Sequence, residues 1–347
     1  MREVPIGTAI QVRTPASSAN LGPGFDSIGL ALGVWDELSV TVVAEPGLRI
    51  EVSGSGADGV PRDESHLVYR SMARGLRELG VSVPAGLVLE ATNAVPHGRG
   101  MGSSATAIVS GVAAAQGLSV GALAAADGVV GAPGEVLGID LDAVNSLASE
   151  LEGHPDNASA TVYGGMTLSW SEQDDLPPAS VGSSGALTPR GSGELGPTGA
   201  AVGRHTVTVH LPLHAELTAV VFVPEETLAT HTARALLPER VLLRDAARNS
   251  ARAALLVEAA TRRPELLVPA TRDWLHQEAR RPSYAASMQL VDRLRTQGHA
   301  AMISGAGPSV LVLTTADRVE GVRSGADHVW RRLVPGIPEQ GVRVERR

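Results

Sequence analysis

The chain of 347 residues contains no cysteine and no lysine, so all 29 of its basic residues are arginines. Without cysteine there is no disulfide framework, no thiolate nucleophile and no zinc site built on cysteine. Without lysine, a phosphate loop of the Gly-Lys-Ser/Thr type is excluded, because lysine reaches the phosphates in that loop. Any anion site must therefore be built from backbone amides and a few arginines.

Charge and hydropathy narrow the class of protein further. The net charge is −8 and the pI about 5.7, so we expect neither nucleic acid nor a membrane surface as a partner. The N-terminal residues Met1-Arg-Glu-Val-Pro lack the apolar core of a signal peptide. Residues 108–132 are weakly polar but are interrupted by Gln116 and Asp127, which favours buried helices over a membrane span. We expect a cytoplasmic enzyme.

Strand-like alternation and helix-like periodicity follow each other in two blocks along the chain. Between the blocks, residues 171–204 are rich in Gly, Ser, Pro, Ala and Thr, which predicts a long flexible insertion. The pattern predicts an α+β protein with domains at 1–168 and 205–347 and an insertion at 169–204. The predicted strands are 9–14, 38–43, 48–52, 87–91, 164–170, 205–211, 217–223 and two within 300–314; the predicted helices are 66–79, several up to about residue 151, 239–261, 264–276 and 283–297.

The most informative segment is 96–109, which reads Pro-His-Gly-Arg-Gly-Met-Gly-Ser-Ser-Ala-Thr-Ala-Ile-Val. Glycines at alternate positions permit positive φ and let a ligand approach the backbone closely. The Ala-rich run that follows predicts a helix whose free N–H groups and dipole point back into the loop. Loop and helix together predict a phosphate site, and one serine hydroxyl can reach a metal ion held by the phosphates.

Two other functional interpretations of this segment are weaker. A dinucleotide-binding fingerprint needs its third glycine one residue later and an acidic residue at a strand end, whereas Asp127 lies in a helical stretch. A Gly-x-Ser-x-Gly nucleophile elbow is absent around Ser103 and Ser104, which argues against an esterase. A tight turn with a serine helix cap is the structural alternative.

Separated motifs carry a closer resemblance. The N-terminal motif at 15–26 reads Pro-Ala-Ser-Ser-Ala-Asn-Leu-Gly-Pro-Gly-Phe-Asp, and the C-terminal glycine motif at 303–311 reads Ile-Ser-Gly-Ala-Gly-Pro-Ser-Val-Leu. With the loop at 96–107 and the segments 152–157 and 230–238, they occur in the order and spacing of the GHMP small-molecule kinases. The chain resembles that family, and within it the branch that acts on homoserine.

This resemblance implies a fold and an activity. The fold implied is a two-domain GHMP kinase fold, with an N-terminal domain of the ribosomal protein S5 domain 2 type and a ferredoxin-like C-terminal domain. The activity implied is ATP- and Mg²⁺-dependent phosphorylation of the L-homoserine side-chain hydroxyl to O-phospho-L-homoserine, a step of threonine biosynthesis. ATP is expected in the cleft between the domains, and a homodimer is compatible with the resemblance.

The resemblance implies that the glycine loop binds the nucleotide and reaches the metal. The ATP-binding residues implied are Pro96, His97, Gly98, Arg99, Gly100, Met101, Gly102, Ser103 and Ser104. Ser104 matches the serine that reaches the metal. The position at which some relatives have a metal-binding glutamate is Ser146 here. We predict that Glu150 supplies this carboxylate, with Glu152 as the alternative.

The resemblance also assigns residues to both charged ends of the amino-acid substrate. Asn20 and Asp26 are expected at the polar head with His154 nearby, and Arg234 and Arg280 at the carboxylate or phosphate side. Arg281 competes with Arg280, because Glu278-Ala279 replaces the family's Pro-Tyr before that arginine. Thr230 and Gly307 complete the predicted substrate site. Each assignment has a structural alternative: a turn brace for Asp26, a fold contact for His154 and a solvated charge for Arg234.

A general base is missing from the predicted site. The mevalonate branch of the family uses an aspartate with a neighbouring lysine, whereas this chain has Asn157 at the corresponding place. We therefore predict direct attack by the hydroxyl, with Asn157, Arg234 and Ser104 as catalytic residues that position and stabilise. The alternatives are another GHMP kinase of the mevalonate or isoprenoid type, or a non-catalytic ligand sensor on the same fold.

Overall fold

The computed structural model describes residues 1–126, 132–171 and 206–347, and the architecture given below is that of these residues. The strands are β1 (Ala9–Ala19), β2 (Ile28–Val42), β3 (Gly47–Gly54), β4 (Gly86–Asn93), β5 (Met166–Ser171), β6 (Thr206–Leu211), β7 (Leu217–Val223), β8 (Ala300–Ile303), β9 (Val310–Thr315), β10 (Arg331–Leu333) and β11 (Arg343–Arg346). The helices are α1 (Leu67–Glu78), α2 (Ser103–Ala126), α3 (Leu141–Glu152), α4 (Pro155–Tyr163), α5 (Thr230–Arg234), α6 (Leu243–Thr261), α7 (Leu267–Ala270), α8 (Gln277–Arg280), α9 (Ala285–Thr296) and α10 (Val319–Ser324).

The first sheet has the strand order β11-β1-β2-β4-β3, and β5 and β6 extend it from the start of β2. The long strand β2 pairs with β1 along most of its length, with β4 through residues 37–42 and with β5 through residues 28–30. Only β3 and β4 run parallel in the pairings described. β2 therefore connects the two halves of this sheet.

Helices α1, α2 and α3 cover one face of the first sheet and enclose its apolar core. The described residues include one helix long and apolar enough to cross a membrane, Ser103–Leu123, with a mean hydropathy of 1.5. Of the apolar stretch of this helix, 78% is buried inside the protein, so it is a core helix. This agrees with the expectation that residues 108–132 begin as buried helix.

The second sheet is antiparallel, with the order β10-β7-β9-β8. Helices α9 and α10 pack on one face. The opposite face shares a core with α6, α7, residues of the first sheet such as Ala16 and Leu30, and Met101 of the glycine loop. A continuous apolar layer thus joins the two halves of the chain beneath the glycine loops.

Most of the predicted elements are confirmed, but some are wrong or were missed. The predicted helix 264–276 is wrong: α7 spans four residues, and Asp273 accepts the backbone N–H groups of His276 and Gln277 ahead of α8. Pro264 and Pro269 interrupt this segment, which limits helix length. Helix α4 was missed despite Gly153 at a left-handed helix end and Pro155 at the next helix start.

Two C-terminal strands belong to the first sheet. β6 pairs with β5, and β11 pairs with β1, although both follow residue 205. A division at 168 and 205 therefore does not separate the two sheets. Asp127 and nearly all of the predicted insertion, residues 172–205, lie outside the described residues.

Close packing at Gly29 yields a stability prediction. A Cβ atom at Gly29 would lie 1.8 Å from the backbone oxygen of Asp156, at the start of α4. We expect Gly29→Ala to destabilise the fold by roughly 1–3 kcal/mol, because backbone must move to relieve the clash. Gly138→Ala is the matched control, since nothing lies within 4 Å of its added Cβ. Thermal unfolding of both variants measures the difference, and equal melting temperatures would contradict the prediction.

Candidate active site

The glycine loop ends at the N-terminus of α2, as predicted. Gly98, Gly100 and Gly102 have φ values of +63°, +70° and +71°, in the region that favours glycine. Helix α2 begins at Ser103 and leaves its first backbone N–H groups free of helical partners. The dipole and these N–H groups make the loop suited to a phosphate.

Two of these glycines are also required by their surroundings. A Cβ atom at Gly100 would lie 2.3 Å from the backbone oxygen of Ser304, and one at Gly102 would lie 2.3 Å from Ser17 Oγ. The loop therefore makes close backbone contact with the N-terminal motif and with the C-terminal glycine motif. Any side chain at either position would separate these segments.

The C-terminal glycine motif forms a bridge between the other two motifs. Ser304 Oγ donates to the backbone oxygen of Gly100 over 2.6 Å, and the Gly305 N–H donates to the oxygen of Ala19 over 3.2 Å. Asn20 Nδ2 donates back to the Gly305 oxygen over 3.0 Å. The turn thus contacts both the glycine loop and the N-terminal motif.

The N-terminal motif is held in an uncommon backbone conformation. Asn20, Leu21 and Asp26 have φ values of 68°, 45° and 56°, which non-glycine residues seldom adopt. Asn20 Oδ1 accepts the Asp26 N–H over 3.0 Å and closes this turn. Both Oδ1 and Nδ2 of Asn20 therefore form hydrogen bonds that hold this loop, and Asn20 also lines the site.

The predicted site residues converge on one cavity of about 60 Å³ between the two halves of the chain. Backbone and side chains from both halves line it, and they carry three carboxylates, two guanidinium groups and one imidazole. The predicted residues that line it are Asn20, Asp26, Gly98, Gly100, Gly102, Ser103, Ser104, His154, Asn157, Thr230, Arg234 and Arg280.

Other predicted residues lie around this cavity rather than in its wall. The Arg99 guanidinium donates to the backbone oxygens of His97, Pro224 and Glu225, which ties the loop to the end of β7. Met101 is fully buried in the shared core, and Pro96 is also buried. Gly305 and Ala306 line the cavity in place of Gly307, whose added Cβ would meet the Tyr284 ring at 2.8 Å.

Asp26 and Arg234 bind each other. Arg234 Nη1 donates to Asp26 Oδ2 over 3.0 Å, and Nη2 donates to Oδ1 over 2.6 Å. The sequence assigned these two residues to opposite ends of the amino acid, whereas the structure joins them as a bidentate pair. Asp26 and the neighbouring acids Asp156 and Glu152 raise the pKa of Arg234 against the opposing effect of its burial.

Arg280 is the buried cation of the cavity. Only 2% of its surface is exposed, its Nε donates to the Ala233 oxygen over 3.1 Å, and its guanidinium lies 5.6 Å from the centre of the Phe25 ring. No carboxylate lies within ion-pair distance of it among the described residues, and burial lowers its pKa. The competing Arg281 points to Glu278 and Asp292 at the surface, so Arg280 is the arginine at the site.

His276 contacts the Arg280 guanidinium. Its Nε2 lies 2.8 Å from the Gly22 oxygen and its Nδ1 lies 3.4 Å from Arg280 Nη1. Its ring stacks on Phe25 at 5.2 Å. The sequence analysis did not name His276, although it stands only four residues before Arg280.

A carboxylate lies beside Ser104, but it belongs to Glu152. Ser104 Oγ donates to Glu152 Oε2 over 2.8 Å, and burial raises the pKa of this carboxyl. Glu150 lies elsewhere and forms a 3.2 Å ion pair with Arg74. Of the two carboxylates named for the metal, Glu152 and not Glu150 therefore lies beside Ser104, because a spacing of two residues along α3 turns the side chain to another face of the helix.

His154 and Asn157 flank the start of α4. His154 Nδ1 lies 2.8 Å from Asp156 Oδ1, and Asn157 Oδ1 accepts from Ser17 Oγ over 3.1 Å. Ser17 in turn accepts from Thr161 Oγ1 over 3.0 Å. Asp156 was missed by the sequence reasoning, although it stands between the two predicted residues in the same motif.

A second cavity of about 270 Å³ adjoins the first and shares Ser103 and Ser104 with it. It lies within the N-terminal half, between β2, β4, α1 and α2. Its apolar lining includes Val60, Pro61, Leu67, Val68 and Ala107, and its polar lining includes Ser65, His66, Asn93 and His97. Burial lowers the pKa of both histidines, which favours neutral rings at this wall.

The comparisons with known proteins agree with this geometry. Residues 66–165 match the model of the GHMP kinases N terminal domain. The chain is 44% identical over 336 residues to a homoserine kinase of Streptomyces coelicolor. This alignment covers 97% of this chain and 94% of that protein. The chain is 45% identical over 344 residues to a homoserine kinase of Rhodococcus opacus, with 98% of each covered.

The chain belongs to the homoserine kinase branch of the GHMP kinase family. The crystal structure of homoserine kinase from Cytophaga hutchinsonii has a TM-score of 0.75 to this chain at 25% identity, with 98% of both chains covered. The predicted family and its two-domain α+β fold are thereby confirmed. In this GHMP kinase, the three motifs that carried the resemblance are the three segments that meet at the cavity.

The contact between the glycine loop and Ser17 yields a prediction for this GHMP kinase. Gly102→Ala places a Cβ 2.3 Å from Ser17 Oγ and 3.2 Å from Asn157 Oδ1. We expect its kcat/KM to fall by about 10²-fold, because misplaced site groups lose alignment. Gly98→Ala is the control: it shares the positive φ, but its Cβ meets only the Thr227 side chain and a distant oxygen at 3.3 Å or more. Equal losses in both variants would show that backbone strain alone is responsible.

Proposed function

We propose that this protein transfers the γ-phosphoryl group of ATP to the side-chain hydroxyl of L-homoserine, yielding O-phospho-L-homoserine and ADP. The observation that carries the proposal is the junction of two cavities at the N-terminus of α2. One cavity suits a nucleoside and the other carries charges suited to an amino acid. The junction between them is where phosphate-binding amides are free.

The nucleoside of ATP would occupy the larger cavity. Its apolar side, formed by Val60, Leu67 and Ala107, suits a flat base. The shared Ser103 and Ser104 would then place the triphosphate along the glycine loop. This proposed location differs from the cleft between the domains that the resemblance implies: the base would lie within the N-terminal half, and the phosphates would reach the junction.

The residues beside the loop fit a magnesium ion. Mg²⁺ in phosphate-transfer sites takes one or two carboxylates with waters and phosphate oxygens, rather than a full protein cage. Ser104 and Glu152 offer such an incomplete oxygen set, and the described residues contain no group of three or more acids and histidines that could hold a metal alone. When bound, the ion would neutralise charge on the phosphate oxygens.

The charged ends of homoserine match the wall of the smaller cavity. Arg280 offers an unpaired buried guanidinium for the α-carboxylate. Asp26, next to Asn20, is the acceptor proposed for the α-ammonium, and its pairing with Arg234 keeps both side chains at the wall. A zwitterion therefore meets complementary charges without adding net charge to the cavity.

Asn157 is proposed to orient the reacting hydroxyl. Because its Oδ1 already accepts from Ser17, its Nδ2 group is the end available to the substrate. The hydroxyl oxygen bonds to the γ-phosphorus as the bond to the β,γ-bridging oxygen breaks. The hydroxyl proton passes to a phosphoryl oxygen, so no protein base is needed for this loose transition state.

The experiment that tests this function is an assay of ADP release with ATP, Mg²⁺ and single candidate alcohols. L-homoserine, L-serine, L-threonine, mevalonate and shikimate make up the panel. Turnover with L-homoserine and a product with the mass of O-phospho-L-homoserine would support the proposal. Preference for mevalonate would favour the isoprenoid branch, and nucleotide binding without turnover would favour a ligand sensor.

Arg280 supplies a prediction on substrate binding. We expect Arg280→Gln to raise the KM for homoserine about 10- to 100-fold, because a charged hydrogen bond to the carboxylate is lost. The KM for ATP should stay near the wild-type value. Arg281→Gln is the matched control, since Arg281 pairs with surface carboxylates. An unchanged homoserine KM in Arg280→Gln would remove Arg280 from the site.

Glu152 supplies a prediction on the metal. We expect Glu152→Gln to raise the Mg²⁺ concentration for half-maximal activity by about tenfold or more, because a carboxylate ligand is lost. Titration of ADP binding with Mg²⁺ by calorimetry should show the same shift without turnover. Glu150→Gln is the control, as its side chain pairs with Arg74. A shift in the Glu150 variant alone would restore the original assignment.

A further inference from the structure

His276 is a buried imidazole that the reaction described above does not use. Only 1% of its surface is exposed, and it lies directly before α8, whose last residue is Arg280. Its backbone N–H donates to Asp273 Oδ2 over 3.1 Å, which fixes the residue at the start of this helix. A buried polar ring is stable only when its nitrogen atoms have partners. The partners of the two ring nitrogens therefore define what His276 can do.

The surroundings of the ring determine where its hydrogen lies. Nε2 lies 2.8 Å from the backbone oxygen of Gly22, and because a carbonyl oxygen only accepts, Nε2 is the donor. Nδ1 lies 3.4 Å from Nη1 of Arg280, and because a guanidinium only donates, Nδ1 is the acceptor. The ring of His276 therefore carries one hydrogen, on Nε2, and is uncharged.

The charged groups around His276 agree with an uncharged ring. Burial has the largest effect and lowers the pKa of His276 below its ordinary value, and the nearby Arg280 cation acts in the same direction. Asp273, whose Oδ1 lies 3.7 Å from Nε2, and Asp26 of the N-terminal motif act in the opposite direction. The Asp273 carboxylate already accepts the backbone N–H groups of residues 275–277.

Three groups without negative charge hold the Arg280 guanidinium. Its Nε donates to the backbone oxygen of Ala233 over 3.1 Å, and its Nη1 faces the His276 ring. The Phe25 ring packs against both side chains: its centre lies 5.6 Å from the guanidinium and 5.2 Å from the centre of the imidazole. A carboxylate in any of these places would pair with Arg280 and would compete with a substrate carboxylate.

We propose that His276 is a positioning residue for amino-acid binding, whose Nδ1 holds the Arg280 guanidinium at the cavity wall and leaves the charge of that guanidinium to the substrate carboxylate. This inference rests on the proposed function, in which Arg280 receives the α-carboxylate of homoserine. His276 does not line the cavity, so it acts only through Arg280. The N-terminal motif fixes the ring through Gly22, so the position of Arg280 depends on both halves of the chain.

Two substitutions separate the two ends of the ring. In His276→Asn the short amide takes the place of Nδ1, so it keeps an acceptor for Arg280 and loses the donor to Gly22. In His276→Gln the longer side chain carries its amide to the place of Nε2, so it keeps the donor to Gly22 and loses the acceptor for Arg280. Both variants lose the stacking on Phe25, so the difference between them depends on the two ends alone.

The KM for homoserine should follow the contact to Arg280. It should rise about three- to tenfold in His276→Gln, as expected for one lost hydrogen bond, and should stay near the wild-type value in His276→Asn. The kcat and the KM for ATP should stay near wild type in both variants. The melting temperature should be lower in His276→Asn, because the bond to Gly22 joins distant segments. A purely structural role predicts the reverse, with the higher homoserine KM in the less stable variant.

Two controls accompany this pair of variants. His328→Gln makes the same exchange at an exposed histidine that does not line the cavity, and it should leave both KM values unchanged. In an Arg280→Gln background, His276→Gln should change the homoserine KM much less than in wild type, since the two residues act as a unit. Full additivity of the two changes would contradict a role exerted through Arg280.

The outcomes also separate this inference from the proposed function. NMR of the ring nitrogens locates the hydrogen of His276 in the wild-type protein without any turnover. A hydrogen on Nδ1 would overturn the role of His276, whichever substrate the protein uses. A hydrogen on Nε2 in a protein that does not turn over homoserine would overturn the function alone. Homoserine turnover with the same homoserine KM in wild type and His276→Gln would overturn the role of His276 alone.

Discussion

Backbone approaches closer than a side chain allows hold this site together. Gly100 lies against Ser304, Gly102 against Ser17 and Gly29 against the start of α4, each at a distance that excludes a Cβ atom. These contacts pack the glycine loop, the N-terminal motif, the C-terminal turn and helix α4 into one unit. The positions of Ser104, Asn157 and Asp26 all depend on that unit, because each follows or flanks one of these contacts.

The second constraint is the balance of charge in a small cavity. Asp26, Glu152 and Asp156 face Arg234, Arg280 and His154. Asp26 pairs with Arg234, and Asp156 pairs with His154. Arg280 forms no ion pair with a carboxylate of the residues that the structure describes, so under the proposed function it is the group available for the substrate carboxylate. A zwitterionic substrate keeps the total charge unchanged, which is the condition for burying it at low cost.

Most of the site residues named from the sequence line one cavity, but several contacts between them differ from those assigned. Sequence reasoning named Glu150 for the metal with Glu152 as the alternative, although the choice depends on how α3 packs against α2. It assigned Asp26 and Arg234 to opposite ends of the amino acid. These residues are 208 positions apart and meet only across the two halves of the chain. It missed Asp156 and His276 because both act through other side chains, and local patterns carry no signal for such contacts.

What the sequence determined by itself was local: the glycine loop before a helix, the absence of lysine and cysteine, the strand and helix periods, and the family resemblance of the separated motifs. Backbone conformations at glycines and hydrophobic periods are properties of neighbouring residues, so a linear pattern records them. Tertiary structure alone decided which carboxylate reaches Ser104, which arginine stays unpaired, and that β6 and β11 return to the first sheet. These depend on packing between distant segments, where a shift of one residue along a helix turns a side chain to another face.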